Sequence, residues 1–404
     1  MYFCTKVQEV KDVRYVTDIM DVAQLHEDER RALSGVTENF AFKASSYYLS
    51  LINWDDPCDP LRKIVIPDSN EMYSWGMKDP SSERSYTVLP GLQHKYKQTA
   101  LMLVSNACGS LCRFCFRKRI FIDSHHETAI DLPRAVDYIR EHAEITNVLL
   151  SGGDPLMLPT ERLEEIVRRL REIDHLHIIR IGTKLPVYDP FRITEDPSLL
   201  EMVKRHSHEN RRIYFVIHFN HPKEISSETL KAVSQLQEAG AITVSQTPLL
   251  RGVNDNPETL AQLFKKLSFI GVSPYYVFQC RPSIGNYHFQ VPVETSYAIV
   301  EKAKSMCSGL AKRAKFVMSH ATGKIEVVGL TDRYVYMKYA QAADPENIGM
   351  FMVFERNPAA FWFDDYSDPV DHHRLDVQET GASGDVYASQ AEESGELHAA
   401  TTMD

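Results

Sequence analysis

Strand-like apolar runs and helices alternate along most of this chain, and that alternation limits its fold more than any other feature. Ala100-Leu-Met-Leu-Val104 comes first, and Val148-Leu-Leu150 leads into Gly152-Gly153-Asp154. A helix from Leu163 to Ile173 is predicted before Ile178-Ile-Arg-Ile181, and Ile213-Tyr-Phe-Val-Ile217 precedes His218-Phe-Asn-His221. A second helix, Ser227 to Ala239, leads into Ile242-Thr-Val-Ser-Gln246, and Tyr275-Tyr-Val-Phe278 precedes Gln279-Cys-Arg281. A third, Val293 to Leu310, leads into Phe316-Val-Met318. About six such runs separated by helices predict an α/β chain whose parallel sheet curls into a partial or full β/α barrel. Polar residues of unusual type follow successive runs, and in such barrels the carboxyl ends of the strands carry the chemistry.

The flanks differ. Thr17 to Met77 reads as mostly helical, with Leu25-His-Glu-Asp-Glu-Arg-Arg-Ala-Leu33 amphipathic and Pro57, Pro60 and Pro67 as punctuation. The expected organisation is a helical N-terminal cap over 1–95, the barrel over 96–325, a C-terminal extension over 326–363 and a tail over 364–404. That tail is rich in Asp, Glu, Ser, Gly and Ala, so burial there cannot repay chain entropy and disorder is expected. With 43% hydrophobic and 25% charged residues the chain suits a soluble globular enzyme. A net charge of −10 without a Lys/Arg-rich run argues against a nucleic-acid partner. No apolar stretch approaches the ~18 residues of a membrane span. Met1 to Asp12 has neither an apolar h-region nor a cleavage site, and the scattered cysteines form no disulfide framework, so a cytoplasmic location is expected.

Three of the seven cysteines sit in one short loop, Cys108-Gly-Ser-Leu-Cys112-Arg-Phe-Cys115, directly after the first apolar run. A structural zinc would need a fourth Cys or His at a matching spacing, and no second pair follows. Three thiolates can instead hold three irons of a [4Fe-4S] cube and leave the fourth open to bind and reduce a ligand. The C-x3-C-x2-C spacing resembles the radical SAM enzymes, so that ligand is expected to be S-adenosylmethionine (SAM).

From about Arg14 to Arg356 the chain resembles the lysine 2,3-aminomutase family, radical SAM enzymes that also use pyridoxal phosphate. The stretches that carry the resemblance are Tyr47-Tyr-Leu-Ser-Leu-Ile52, Pro90-Gly-Leu-Gln-His94, the cysteine loop, Ser151-Gly-Gly-Asp-Pro-Leu156, Arg180-Ile-Gly-Thr183, Arg192-Ile-Thr194, His218-Phe-Asn-His-Pro222, Leu250-Arg-Gly-Val-Asn-Asp255 and His288-Phe. The resemblance implies that Ser151, Gly152, Gly153 and Asp154 hold the methionine part of SAM, the glycines by close backbone approach and Asp154 by accepting from the α-ammonium. It adds His218 to the SAM pocket. Lys324, just after the last barrel strand and behind Gly323, aligns with the lysine that forms the Schiff base with pyridoxal phosphate. Lys95 and Gln246 match coenzyme-phosphate residues, whereas Thr99 stands where lysine-acting relatives have another arginine. Arg117 would bind the substrate α-carboxylate. The implied reaction is radical migration of an amino group from the α- to the β-carbon.

The chain departs from the lysine-specific pattern where that pattern reads the substrate ε-ammonium with two aspartates. One segment is here Cys280-Arg281-Pro282-Ser283, and the other is Met318-Ser319-His320, with no acid. Guanidinium in place of carboxylate reverses the charge, so a free non-lysine amino acid is expected, glutamate-like first, read by Arg281. The zinc-binding cysteines of some relatives are missing, with Asn256 at one of their places, so no zinc is expected. An electron donor such as flavodoxin or ferredoxin and a homo-oligomer are also expected. The alternatives are a lysine 2,3-aminomutase-type enzyme for translation-factor modification, a radical SAM enzyme without pyridoxal phosphate, and, more remotely, a non-catalytic iron–sulfur protein.

Overall fold

The computed structural model describes residues 12–122 and 126–374. A small antiparallel pair, β1 (Tyr15–Val16) with β2 (Ala44–Ser45), lies in the N-terminal region. The remaining strands are β3 (Thr87–Leu89), β4 (Leu92–Tyr96), β5 (Thr99–Ser105), β6 (Asn147–Gly152), β7 (Ile178–Thr183), β8 (Ile213–His218), β9 (Ile242–Leu249), β10 (Ser273–Gln279), β11 (Lys315–Ser319), β12 (Gly323–Leu330), β13 (Tyr334–Ala342), β14 (Phe351–Glu355) and β15 (Asp371–His373). These form one 13-stranded sheet in which spatial order follows chain order. From β5 to β11 every neighbouring pair is parallel. The two edges, β3 and β15, are not joined, so the barrel is partial.

Parallel neighbours need a crossover, and helices supply it. Leu132–Glu141, Thr160–Arg171, Pro197–His206, Ser227–Glu238, Pro257–Phe269 and Val293–Ser305 connect successive strands. Asp131, Asp196, Ser226 and Asn256 each cap one of them by accepting the backbone N–H three residues on. Asn256 thereby has a structural task, the start of Pro257–Phe269.

Strand alternation explains how a parallel sheet can carry polar residues. Val148, Leu150, Ile179, Ile181, Ile213 and Phe215 are fully buried against the helices. Their neighbours Leu149 and Ser151, Arg180 and Gly182, Val216 and His218 face the barrel interior and line a cavity.

Several expected boundaries move. The segment taken as a helical cap also contains β3 and β4, an antiparallel hairpin on the edge of β5. The sheet does not stop at residue 325 but runs on through antiparallel β12 to β15. Residues 364–374, expected in the disordered tail, include β15 paired with β14; residues 375–404 lie outside the described residues. The expected helix from Val293 ends at Ser305, short of Leu310. No helix among the described residues is long and apolar enough to cross a membrane.

Candidate active site

The carboxyl ends of the parallel strands open into a cavity of about 320 Å³, and it collects every residue singled out above: the three loop cysteines, Ser151 to Asp154, His218, Gln246, Lys95, Arg117, Arg281 and Lys324. Elements far apart in sequence therefore meet at one site.

The cysteine loop leaves β5, and none of its thiols is in a disulfide. Burial raises all three thiol pKa values, that of Cys112 to about 12, so a metal would have to draw out the thiolates. Cys112 Sγ lies 2.8 Å from Tyr188 Oη. Among the described residues no group of three or more His, Cys, Asp or Glu is gathered around a single metal position. A four-iron cube makes no such demand, because each sulfur takes a different iron. Three sulfurs of one short loop, set apart from the fourth lining cysteine, Cys280 at the end of β10, fit a cluster that has one open iron.

Gly152 and Gly153 make close backbone contacts with the root of the cysteine loop. Gly152 has φ +122°, and a Cβ on it would lie 2.3 Å from Ser105 O. A Cβ on Gly153 would lie 2.3 Å from Ala107 O. Gly153 N and Asp154 N donate to those same carbonyls at 2.7 Å. The glycines let the end of β6 lie directly on the root of the cysteine loop. Asp154 is buried and accepts from Leu156 N at 3.0 Å, from Thr183 Oγ1 at 2.8 Å and from Lys184 N at 2.8 Å. It lines the cavity while stitching β6 to β7. His218 ends β8, and burial, then the Lys184 ammonium, lower its pKa to about 4, against the pull of a hydrogen bond with Gln246. Gln246, expected at a phosphate, thus faces a neutral imidazole.

Arg117 donates from Nε and Nη2 to Glu83, the shortest contact being 2.7 Å, and from Nη1 to Ser151 Oγ at 2.8 Å. Glu83 also accepts from Arg119 Nη2 at 2.6 Å. Burial works to raise its carboxyl pKa, but Arg117 and Arg119 overcome this and hold it well below the usual range. Ser82, just before Glu83, is the one non-glycine residue described with positive φ, +49°.

Lys324 is the second residue of β12 and not part of a loop. Its Nζ lies 4.2 Å from the centre of the Tyr276 ring. Burial, then Arg180, Arg281 and Lys95, lower its pKa to about 7. Arg281 lies over the Phe116 ring at 3.5 Å, and its Nη1 is shut from solvent without a hydrogen-bond partner. Burial brings the Arg281 pKa down to about 10, with Glu83 pulling the other way. Burial and then Arg281 lower that of Lys95 to about 8.

Glu83 and Arg180 were missed as site residues. Arg180 had a signal: it interrupts an apolar strand on the alternation that faces Ser151. Glu83 had none, because it opens only a single short 3-10 turn, Glu83–Tyr86, before β3.

Residues 102–264 match the radical SAM superfamily. An Aquifex aeolicus (strain VF5) protein named "Putative L-lysine 2,3-aminomutase" is 50% identical over 90% of this chain and 98% of its own. The L-lysine 2,3-aminomutase of Clostridium subterminale is 37% identical over 74% of this chain and 71% of its own. The glutamate 2,3-aminomutase of Clostridioides difficile (strain 630) is 34% identical over 73% and 69% respectively. Identity of that extent, on a parallel sheet with a three-cysteine loop at its carboxyl end, has one meaning: the chain belongs to the lysine 2,3-aminomutase family of radical SAM enzymes.

Proposed function

We propose that this protein is a pyridoxal phosphate-dependent 2,3-aminomutase acting on a free, non-lysine amino acid, with an anionic, glutamate-like side chain favoured. The observation that carries the reading is Arg281 Nη1, a buried guanidinium nitrogen in the cavity wall with no acceptor. A buried cation calls for an anion, and a side-chain carboxylate brings both charge and acceptors. Among the described residues the cavity is lined by two carboxylates, Glu83 and Asp154. Glu83 already accepts from two arginines, and Asp154 from Thr183 and two backbone N–H groups. A lysine ε-ammonium would meet Arg281, Lys95 and Lys324 with no free carboxylate. About 3 kcal/mol of such repulsion rejects it roughly a hundredfold. That one relative is named a glutamate 2,3-aminomutase agrees with this side-chain class.

When bound, the cluster and SAM supply the radical that removes the β-hydrogen, and pyridoxal phosphate stabilises the migrating centre. The chain's own residues place and enclose the reactants. Cys108, Cys112 and Cys115 hold the irons, Ser151 to Asp154 with His218 hold SAM, and Lys324 tethers the coenzyme. Lys95 and Gln246 take the phosphate, and Arg180 supplies the inner-face cation that Thr99 cannot. Arg117 takes the α-carboxylate, since Glu83 and Ser151 leave part of its N–H fork free. A flavodoxin- or ferredoxin-type donor, a cytoplasmic setting and a homo-oligomer complete the proposal.

The test is incubation of anaerobically reconstituted enzyme with SAM, reductant and a panel of amino acids, followed by chromatography for β-isomers. Glutamate or another anionic amino acid is expected to be converted in preference to lysine. Preferred conversion of lysine would refute the Arg281 argument. Reconstituted protein that captures no pyridoxal phosphate would point to a different hydrogen abstraction.

A further inference from the structure

β11 turns into β12 through Ser319-His320-Ala321-Thr322, Ser319 being the last residue of β11, and Lys324 follows two residues after that turn. Three consecutive carbonyls of the turn each accept a side chain from one N-terminal segment. Ser81 Oγ donates to Ser319 O at 2.8 Å, Lys95 Nζ to His320 O at 2.5 Å and Tyr86 Oη to Ala321 O at 2.8 Å. The remaining hold comes from the opposite end of the chain. The His320 side chain is 9% exposed. Its Nδ1 accepts from Thr322 N at 3.2 Å, which leaves the ring proton on Nε2, 3.0 Å from Asp364 Oδ1. Thr322 Oγ1 lies 2.8 Å from His320 Nδ1 and 2.8 Å from Tyr339 Oη on β13. Trp362 and Phe363 stand beside the imidazole, with ring centres 6.4 and 5.1 Å away.

Asp364 is 63% exposed, so its own solvation does not require this contact; the imidazole does, since its Nε2 would otherwise be left without an acceptor. The consequence falls on Lys324. The β12–β13 register shifts between Lys324 and Ile325, a bulge of the kind that re-aims a side chain. The backbone just before that bulge is fixed by Thr322 N on His320 and His320 on Asp364.

We propose that His320 and Asp364 are positioning residues for Lys324: a latch from the C-terminal turn Phe363–Asp365 that sets how the lysine enters the cavity. This rests on Lys324 being the pyridoxal phosphate lysine. The test is titration of the purified protein with pyridoxal phosphate, read as absorbance, borohydride-fixed stoichiometry and the pH profile of capture. The variants are Asp364→Asn, Asp364→Glu and His320→Ala, with the exposed Asp368→Asn as control. Asp364→Asn and His320→Ala are expected to bind roughly tenfold more weakly with a displaced pH profile, Asp364→Glu to recover part of the affinity, and Asp368→Asn to match the wild type. Wild-type affinity and profile in both Asp364→Asn and His320→Ala overturn the latch alone. Weakened binding matched by a general loss of folding in the unfolding midpoint overturns it too. Wild-type protein that captures no pyridoxal phosphate overturns the latch and the functional reading together.

Discussion

Lys324 concentrates the residue-scale chemistry, because a lysine attacks an aldehyde only as the neutral amine. Burial and the neighbouring cations Arg180, Arg281 and Lys95 disfavour its protonated form and bring its pKa to about 7. Above that pH the amine is free to react; below it the ammonium is not. Covalent capture of pyridoxal phosphate, fixed with borohydride and counted by mass, is therefore expected to rise through about pH 7 rather than near the ordinary lysine value of 10.5. Arg180→Gln removes the largest of the like charges and should move the midpoint upward. An unmoved midpoint in that variant would rule out Arg180 and leave the shift to burial, Arg281 and Lys95.

At the scale of elements the cysteine loop is held from both sides. Leu111 N donates to Lys43 O at 2.8 Å, Arg113 N to Ile64 O at 2.8 Å and Asn286 Nδ2 to Phe114 O at 2.8 Å. Arg113 is 2% exposed and donates from Nε and Nη2 to Glu71, itself fully buried, at 2.8 Å each. Removing one partner from such a pair strands the other charge and costs about 3–5 kcal/mol. Glu71→Gln is expected to lower unfolding free energy by that order in denaturant titrations and to reduce iron incorporated on reconstitution. Unchanged iron content would show that the barrel alone fixes the loop. None of this pairing was legible in the sequence, since Glu71 and Arg113 meet only after the N-terminal region folds over the strand ends. The parallel strands were legible because most are apolar runs followed by polar residues and separated by helices. The hairpin β3–β4 was not, because Gln93-His94-Lys95-Tyr96 is polar and is a strand by pairing with β5 rather than by composition. β12 to β14 were hidden because, as antiparallel additions, they break the strand–helix rhythm that marked the rest, and β15, Asp371-His-His373, is polar and exposed and is a strand only by pairing with β14.

Over the whole molecule, the site is an electrostatic sum that no single element provides. Lys95 comes from β4, Arg117 from the loop after β5, Arg180 and Lys184 from β7 and its end, Arg281 from the end of β10 and Lys324 from β12. Of these, Lys184 is neutralised by Glu224 at 2.8 Å and Arg117 is paired with Glu83. Lys95, Arg180, Arg281 and Lys324 face one another, and of the described lining carboxylates only Glu83, already paired with Arg117 and Arg119, offsets any of their charge. Under the proposed function the coenzyme phosphate would answer part of that charge. Arg281 remains, with Nη1 lacking an acceptor, while the Cys280-Arg281 identities made its sign, though not its burial, readable from sequence. Arg281→Asp changes the local field by two charges and also removes the guanidinium that packs on Phe116. It is expected to lower kcat/KM for an anionic amino acid by about a hundredfold or more, the equivalent of roughly 3 kcal/mol, with most of the loss in KM. Arg281→Gln, which removes charge but keeps a donor, should lose less. Equal kcat/KM for an anionic and a neutral amino acid in wild type, and no change in their ratio in Arg281→Asp, would mean that Arg281 faces the coenzyme and that selection of the substrate side chain lies elsewhere in the cavity.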